Sequence, residues 1–174
     1  IWVVADEVYI RLAFDRARAP SFLDFADPDD PLIVVNSFSK TWSMTGWRLG
    51  WMTHPPALGP YFSRLNEFNI ASPTTFVQHA GAVAVREGEP FVADMVDRYR
   101  RNRDLVFQRL AAMKRVTLAR PEGAFYAFFA LDGMTDSLAT AKQLIADTGV
   151  GLAPGAAFGE GGEGHLRLCF AAQA

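Results

Sequence analysis

"VVNSFSKTWSMTGWRLGWMTH", residues 34–54, combines a buried-strand pattern with charge in an unusual way. Its apolar start gives way to Ser37, Ser39 and Lys40, and Arg48 follows among Trp42, Trp47 and Trp51. Cations set among so much apolar surface are costly unless they reach water or a partner. Either they face solvent, or they hold a charged ligand.

The run that feeds this stretch, residues 32–35, has a counterpart in residues 1–5. Both are short, continuous and rich in Val and Ile, the pattern of parallel strands buried on both faces. About thirty residues lie between them, enough for a crossover connection. In open α/β sheets, ligands sit beyond the carboxyl ends of the strands. The first run ends at Asp6, with Tyr9 three residues on, and the second ends at Ser37, Ser39 and Lys40. If the strands are parallel, Asp6 and Lys40 converge on one edge of the sheet. Taken alone, Asp6 reads equally well as a turn or helix-capping residue. Strict alternation also sends Tyr9 to the face opposite Asp6, so the strand must end or turn between them. Glu7 points away and is given no role.

Further along, residues 47–52 suit a third strand, and residues 56–70 and 74–87 suit helices. The clearest helix covers 90–114, with Pro90 in its first turn and Val92, Met95, Val96, Tyr99, Val106, Leu110 and Met113 at helical spacing. Arg100, Arg101 and Arg103, diluted by Asp94, Asp97 and Asp104, read as its solvated face. A domain boundary is expected along this helix, dividing residues 1–92 from 93–174. The second part reads as α+β. A hairpin is expected from Val116 to Leu131, then a helix from Ser137 to Thr148 closed by Gly149. Strands around 150–153 and 166–170 flank a glycine-rich stretch whose glutamates would repel phosphate, read as a mobile loop. On the last strand Arg167 shares a face with Cys169, while Leu166, Leu168 and Phe170 point to the core.

Bulk properties narrow the function. Of 174 residues half are apolar, so a sizeable core is available. A net charge of −2 gives no footprint for nucleic acid. No apolar run approaches the roughly 20 residues of a membrane span, and the three histidines lack metal-ligand spacing. A single cysteine rules out an intrachain disulfide and suits a cytoplasmic setting. The chain opens directly on a strand pattern and closes four residues beyond another, as expected of a piece of a longer protein.

"SFSKTWSMTGWRLG" (37–50) closely resembles the lysine motif of the class I/II aminotransferases, pyridoxal-phosphate enzymes of the type I fold. "ADEVY" (5–9), "PEGAFYAF" (121–128), "PGAAFG" (154–159) and "LRLCFA" (166–171) resemble further segments of that family in the family's order. The resemblance implies an α/β fold: the C-terminal part of a large domain with a mainly parallel sheet, then an α+β small domain. It implies that Lys40 forms the Schiff base with the cofactor aldehyde and then serves as general base. Asp6 would keep the pyridine nitrogen protonated, and Tyr9 would hydrogen-bond the ring's phenolic oxygen. Ser37 and Arg48 would hold the phosphate, the arginine as a two-pronged donor, with Ser39 a further ligand. Arg167 would clamp the substrate's α-carboxylate. The expected activity is transfer of an amino group from an amino acid to a 2-oxo acid by a homodimer, with "NIASPTTFVQ" (69–78) where subunits meet.

Within the same cofactor chemistry, a carbon–sulfur lyase or an acyl-transferring synthase is the alternative. A non-catalytic aminotransferase-like regulatory module belongs to another class. By the family's pattern the isolated chain lacks half of the pocket and should be inactive, with an unpaired sheet edge and one incompletely covered sheet face. Ser39-Lys40-Thr41 is not the end of a P-loop, because the preceding glycines are absent. Cys169 reads as a small buried or cleft-lining residue, and the tryptophans as packing residues, Trp42 alone with a place near the cofactor.

Overall fold

A computed structural model describes residues 1–172, which form two compact units, Ile1–Val96 and a second from Asp97 onward. The first contains a three-stranded sheet of β1 (Val3–Asp6), β2 (Leu32–Ser37) and β3 (Gly50–Thr53), in that order. β1 and β2 run parallel, with Asp6 opposite Val35; β3 is antiparallel, with Gly50 opposite Ser37. One face packs Ala5, Leu32 and the fully buried Val34 against Ala26.

Strands patterned for burial on both faces leave one face incompletely covered, as expected of the isolated chain. Val4 is 68% exposed, and Val35 and Met52 are also open, because no layer within the described residues covers that side. The third strand is shorter than the expected 47–52 and runs the other way. Residues Thr45–Trp47 form a 3-10 turn, and Arg48 takes a left-handed backbone that breaks any strand there.

Short α1 (Phe38–Thr41) starts where β2 ends. A 3-10 turn at Pro56–Leu58 leads into α2 (Gly59–Ile70), then α3 (Thr75–Glu87) follows. Gly81 of α3 packs where a Cβ would lie 2.5 Å from the Leu49 side chain and 3.2 Å from Phe38. A larger residue there would push against both flanks of the Ser37–Arg48 segment. The long helix α4 spans Glu89–Ala111, three residues short of the expected end.

In the second unit β4 (Val116–Leu118) and β5 (Tyr126–Leu131) form the expected hairpin. With β6 (Ala153–Pro154) and β7 (His165–Cys169) they make an antiparallel sheet in the order β4-β5-β7-β6. The sheet's inner face carries buried Phe125, Ala127, Phe129, Leu166 and Phe170. Helix α5 (Ser137–Thr148) is capped by Asp136, whose carboxylate accepts from the Ala139 amide at 2.8 Å, and ends at Gly149 with φ 73°. Both features are the expected stop and start signals of a helix.

Three expectations for this unit need correction. The strand at 150–153 shrinks to Ala153–Pro154. The glycine-rich stretch is no loose loop: it folds into two 3-10 turns, Gly155–Phe158 and Glu160–Gly162. A Cβ on Gly155 would lie 1.9 Å from the Gly162 carbonyl oxygen, so both positions exclude side chains. Its Glu163 accepts from the Ser137 and Gly164 amides and fastens the stretch to α5. Finally, Arg103 does not belong to the solvated face of α4. Arg100 and Arg101 pair with Asp97 as surface charges do, but Arg103 is 1% exposed.

Candidate active site

The parallel pairing of β1 and β2 brings their carboxyl ends together, and the polar residues singled out in the sequence lie just there. Asp6 closes β1 and is exposed. One carboxylate oxygen, Oδ1, accepts from the Val8 amide at 3.1 Å; Oδ2 has no hydrogen-bond partner among the described residues. The strand stops at once, and the Ile10 amide donates to the Glu7 carbonyl at 2.9 Å, closing a turn that carries Tyr9. That break lifts the alternation rule that would otherwise set Tyr9 opposite Asp6. Glu7 turns elsewhere and has a structural task. It accepts from Ser21 Oγ at 2.7 Å and from the Phe22 amide at 2.9 Å, seating a short 3-10 turn.

At the end of β2, Ser37 caps α1: its Oγ accepts from the Ser39 amide at 3.1 Å. The same hydroxyl lies 2.9 Å from Ser39 Oγ and 3.3 Å from the Leu49 carbonyl. The Leu49 carbonyl also accepts from the Phe38 amide at 3.1 Å. These bonds tie the start of α1 to the residue after Arg48, so Ser37, Ser39 and Arg48 sit on segments fixed to one another. Lys40 lies half-buried in the last turn of α1.

Arg48 is exposed, with φ 52° and ψ 47°. Its Nη1 donates to the Thr45 carbonyl at 2.8 Å, and among the described residues no carboxylate pairs with it. It borders an open recess of about 700 Å³ that is also lined by Ser43, Trp47, Ile70, Ser72 and Phe76. Trp42 packs against Phe38 in a tilted arrangement, with ring centroids 4.9 Å apart and planes 32° from parallel, and its indole N–H is buried with no hydrogen-bond partner among the described residues. Gly88 leaves room for this ring, since a Cβ there would come within 2.7 Å of it.

This donor set suits pyridoxal phosphate. The group brings a ring nitrogen that needs an acid, a phenolic oxygen that needs a donor, an aldehyde that needs an amine and a dianionic phosphate. Asp6 has a carboxylate oxygen to spare, and Arg48 has guanidinium N–H groups directed at no acid. Among the described residues no cluster of His, Cys, Asp and Glu could hold a metal ion.

Arg167 belongs to the second unit. On β7 it faces the side of the sheet opposite the core, with Phe128 of β5 as its register partner. Its guanidinium carbon lies 4.3 Å from the centre of the Tyr126 ring and 4.1 Å from that of Phe158. Two aromatic rings thus flank a cation that has no carboxylate partner among the described residues. Stacking of this kind orients a guanidinium while leaving its in-plane N–H groups able to bind an anion. Beside it His165 stacks on Phe128 at 4.8 Å. Cys169, on the same face, is exposed rather than buried. The sequence did not single out Tyr126 and Phe158. Parity along β5 could have found Tyr126, because it shares Phe128's face; nothing local signals Phe158.

Comparison with known proteins matches residues 1–174 to the family model "Aminotransferase class I and II". The chain is 35% identical over 174 residues to aromatic-amino-acid aminotransferase 2 of Thermococcus litoralis, covering 98% of this chain and 44% of that protein. It is likewise 35% identical to a probable N-acetyl-LL-diaminopimelate aminotransferase of Bacillus subtilis, covering 98% and 43%. Among solved structures, an aromatic aminotransferase of Pyrococcus horikoshii superposes with a TM-score of 0.92 at 34% identity, over 99% of this chain and 47% of that one. The chain therefore spans somewhat under half the length of the relatives it matches, and its fold is part of the aspartate-aminotransferase-like type I fold.

Proposed function

The chain belongs to the class I and II aminotransferases, and on that premise we propose that it carries the lysine-bearing part of a pyridoxal-phosphate-dependent aminotransferase. The reaction moves an amino group from an amino acid to a 2-oxo acid. One observation carries this reading. Parallel β1 and β2 deliver an under-bonded carboxylate, Asp6, and the Ser37–Lys40 turn to the same end of one sheet.

Bound there, pyridoxal phosphate would supply an electron-withdrawing ring that draws off the charge left when the substrate loses its α-proton. Lys40 would be the covalent anchor for the group's aldehyde and then the base that takes that proton. Asp6 would accept from the ring nitrogen and hold its proton in place. Tyr9 would donate to the phenolic oxygen. Ser37, Ser39 and Arg48 would hold the phosphate, for which a guanidinium with unused N–H groups is the strongest donor available. Arg167, oriented between two rings, takes the amino acid's α-carboxylate.

The enzyme works in the cytoplasm, in amino acid metabolism, as a homodimer in which residues 69–78 meet the partner copy. The chain supplies part of the subunit: residues 1–92 would belong to the large domain and 93–174 to the small one. On its own it binds the cofactor weakly and does not turn over.

The test is a titration with pyridoxal phosphate followed by visible absorbance, on the 174-residue chain and on a longer polypeptide that contains it. A band that Lys40→Ala abolishes is expected in the longer form, and adding an amino acid should convert it. A missing band, or one indifferent to Lys40→Ala, refutes the cofactor assignment. Release of pyruvate in place of conversion refutes the transferase.

A further inference from the structure

Arg103 is among the most deeply buried side chains described, 1% exposed, although its neighbours Arg100 and Arg101 turn to water. A guanidinium removed from water is expensive, and apolar replacements of buried ion pairs are often neutral or stabilising. Its presence is therefore better explained by what it holds than by the stability it adds.

Its bonds are specific. Nη1 donates to the Pro121 carbonyl at 3.2 Å, and Nε donates to Asp104 at 2.9 Å. Asp104 accepts in turn from Arg120 Nη2 at 2.8 Å. The Arg120 bond, with Arg103 helping, holds the Asp104 carboxyl below the usual carboxylate range. Both arginines thus converge on the segment that enters β5. One helical turn earlier, Tyr99 meets the Phe125 ring edge-on at 5.5 Å. Asn102 donates to the carbonyls of Phe170 and Ala172, both at 2.9 Å. Positions 99, 102 and 103 lie on one face of α4, and together they grip the beginning of β5 and the end of β7.

The gripped segment needs restraint. Ala124, with φ 57°, is a non-glycine residue in left-handed space two residues before Tyr126. Such a conformation persists only where its surroundings over-determine it. On one side Arg103 holds the Pro121 carbonyl; on the other the Phe125 carbonyl accepts from the Phe170 amide at 2.9 Å. The next residue is Tyr126, whose ring lies against the guanidinium of Arg167.

We infer that Arg103 is a positioning residue: by fixing the Pro121–Phe125 entry to β5 it sets the Tyr126 ring that orients Arg167 for a carboxylate. The inference rests on the proposed reading of Arg167 as the carboxylate grip.

The experiment uses the 174-residue chain with arginine side chains labelled for NMR, Arg167 being assigned through Arg167→Lys. Flanking rings shift the Arg167 δ and ε resonances, which makes them a direct measure of its placement. Arg103→Met keeps the volume and removes the bonds. It should move these resonances toward those of an unconstrained arginine and weaken binding of propionate, followed at Arg167 Nε–H, by on the order of tenfold. Arg103→Lys, which still donates to Pro121 and pairs with Asp104, should restore much of both. If Arg103→Met does not fold, Asp104→Asn at the exposed end of the cluster should give the same displacement in smaller measure. A folded Arg103→Met or Asp104→Asn chain with unmoved Arg167 resonances overturns the inference. If propionate leaves the Arg167 signal of the unaltered chain untouched, the carboxylate reading fails instead, and the resonance positions still report on Arg103.

Discussion

Arg48 offers a test in which stability and ligand binding should separate. With φ 52° and ψ 47° it occupies the left-handed region, which costs a residue with a Cβ roughly 1–2 kcal/mol. Arg48→Ala keeps that strain and loses the bond from Nη1 to the Thr45 carbonyl, about 0.5–1 kcal/mol at an exposed site. Arg48→Gly loses the same bond and relieves the strain, at an entropic cost of about 0.5–1 kcal/mol. The glycine variant should therefore be about 0.5–1 kcal/mol more stable than the alanine variant and close to the parent. All four tryptophans, Trp2, Trp42, Trp47 and Trp51, lie in the first unit, so fluorescence in urea reports that unit alone. With a slope of roughly 1–3 kcal/mol/M, the two midpoints should differ by a few tenths of a molar or more. Both variants should lose cofactor affinity alike, by about 10- to 100-fold, because each lacks one charge-assisted phosphate contact worth about 1.5–3 kcal/mol. An alanine variant as stable as the glycine variant would mean that the backbone at 48 is unstrained. Undiminished cofactor binding in both would remove Arg48 from the phosphate site.

Two further outcomes concern the second unit. Gly162→Ala places a Cβ 2.1 Å from the Gly155 carbonyl oxygen, a backbone atom that cannot swing away; unfolding of this unit should come at least about 1–3 kcal/mol sooner, seen in far-UV circular dichroism. Glu163 is held below its ordinary value by the Gly164 amide first and the Ser137 amide second. Its contribution is therefore complete above about pH 4.5, the ordinary glutamate value, and is lost as pH falls through the lower folded value. Amide exchange at Ser137 and Gly164 should quicken on acidification through that window, and Glu163→Gln should flatten the dependence; a variant with the parent's pH profile would contradict the assignment.

Where local chemistry decided the structure, the sequence was readable. Asp136 and Gly149 bracket α5 at its start and stop because a cap and a left-handed terminus depend on neighbours a few residues away. Alternation along β7 placed Arg167 opposite Leu166 and Phe170 for the same reason. The opening stretch announced its lysine, serines and arginine through the strand that precedes them. What stayed hidden depends on distant partners. The third strand is legible as a strand, but its direction and its start at Gly50 are set by the antiparallel ladder to β2. The glycines at 155 and 162 look like flexible punctuation, yet each excludes a side chain because the other's backbone is in contact.

Arg103 shows how far composition can mislead. Three arginines within four positions, diluted by aspartates, carry every sign of a wet helix face, and two of them obey it. The third differs because helical geometry puts position 103 one turn after Tyr99, on the stripe that meets the sheet. A charge on an apolar stripe requires acceptors within reach, and here they include the Pro121 carbonyl and the Asp104 carboxylate at the helix's exposed edge. Those acceptors border a segment whose backbone, at Ala124, needs outside support. The cation of the proposed carboxylate site is thus Arg167, set between two rings, and the placement of one of them, Tyr126, is held by a second cation that no ligand would touch. A search confined to exposed charges would find the first of these arginines and pass over the second.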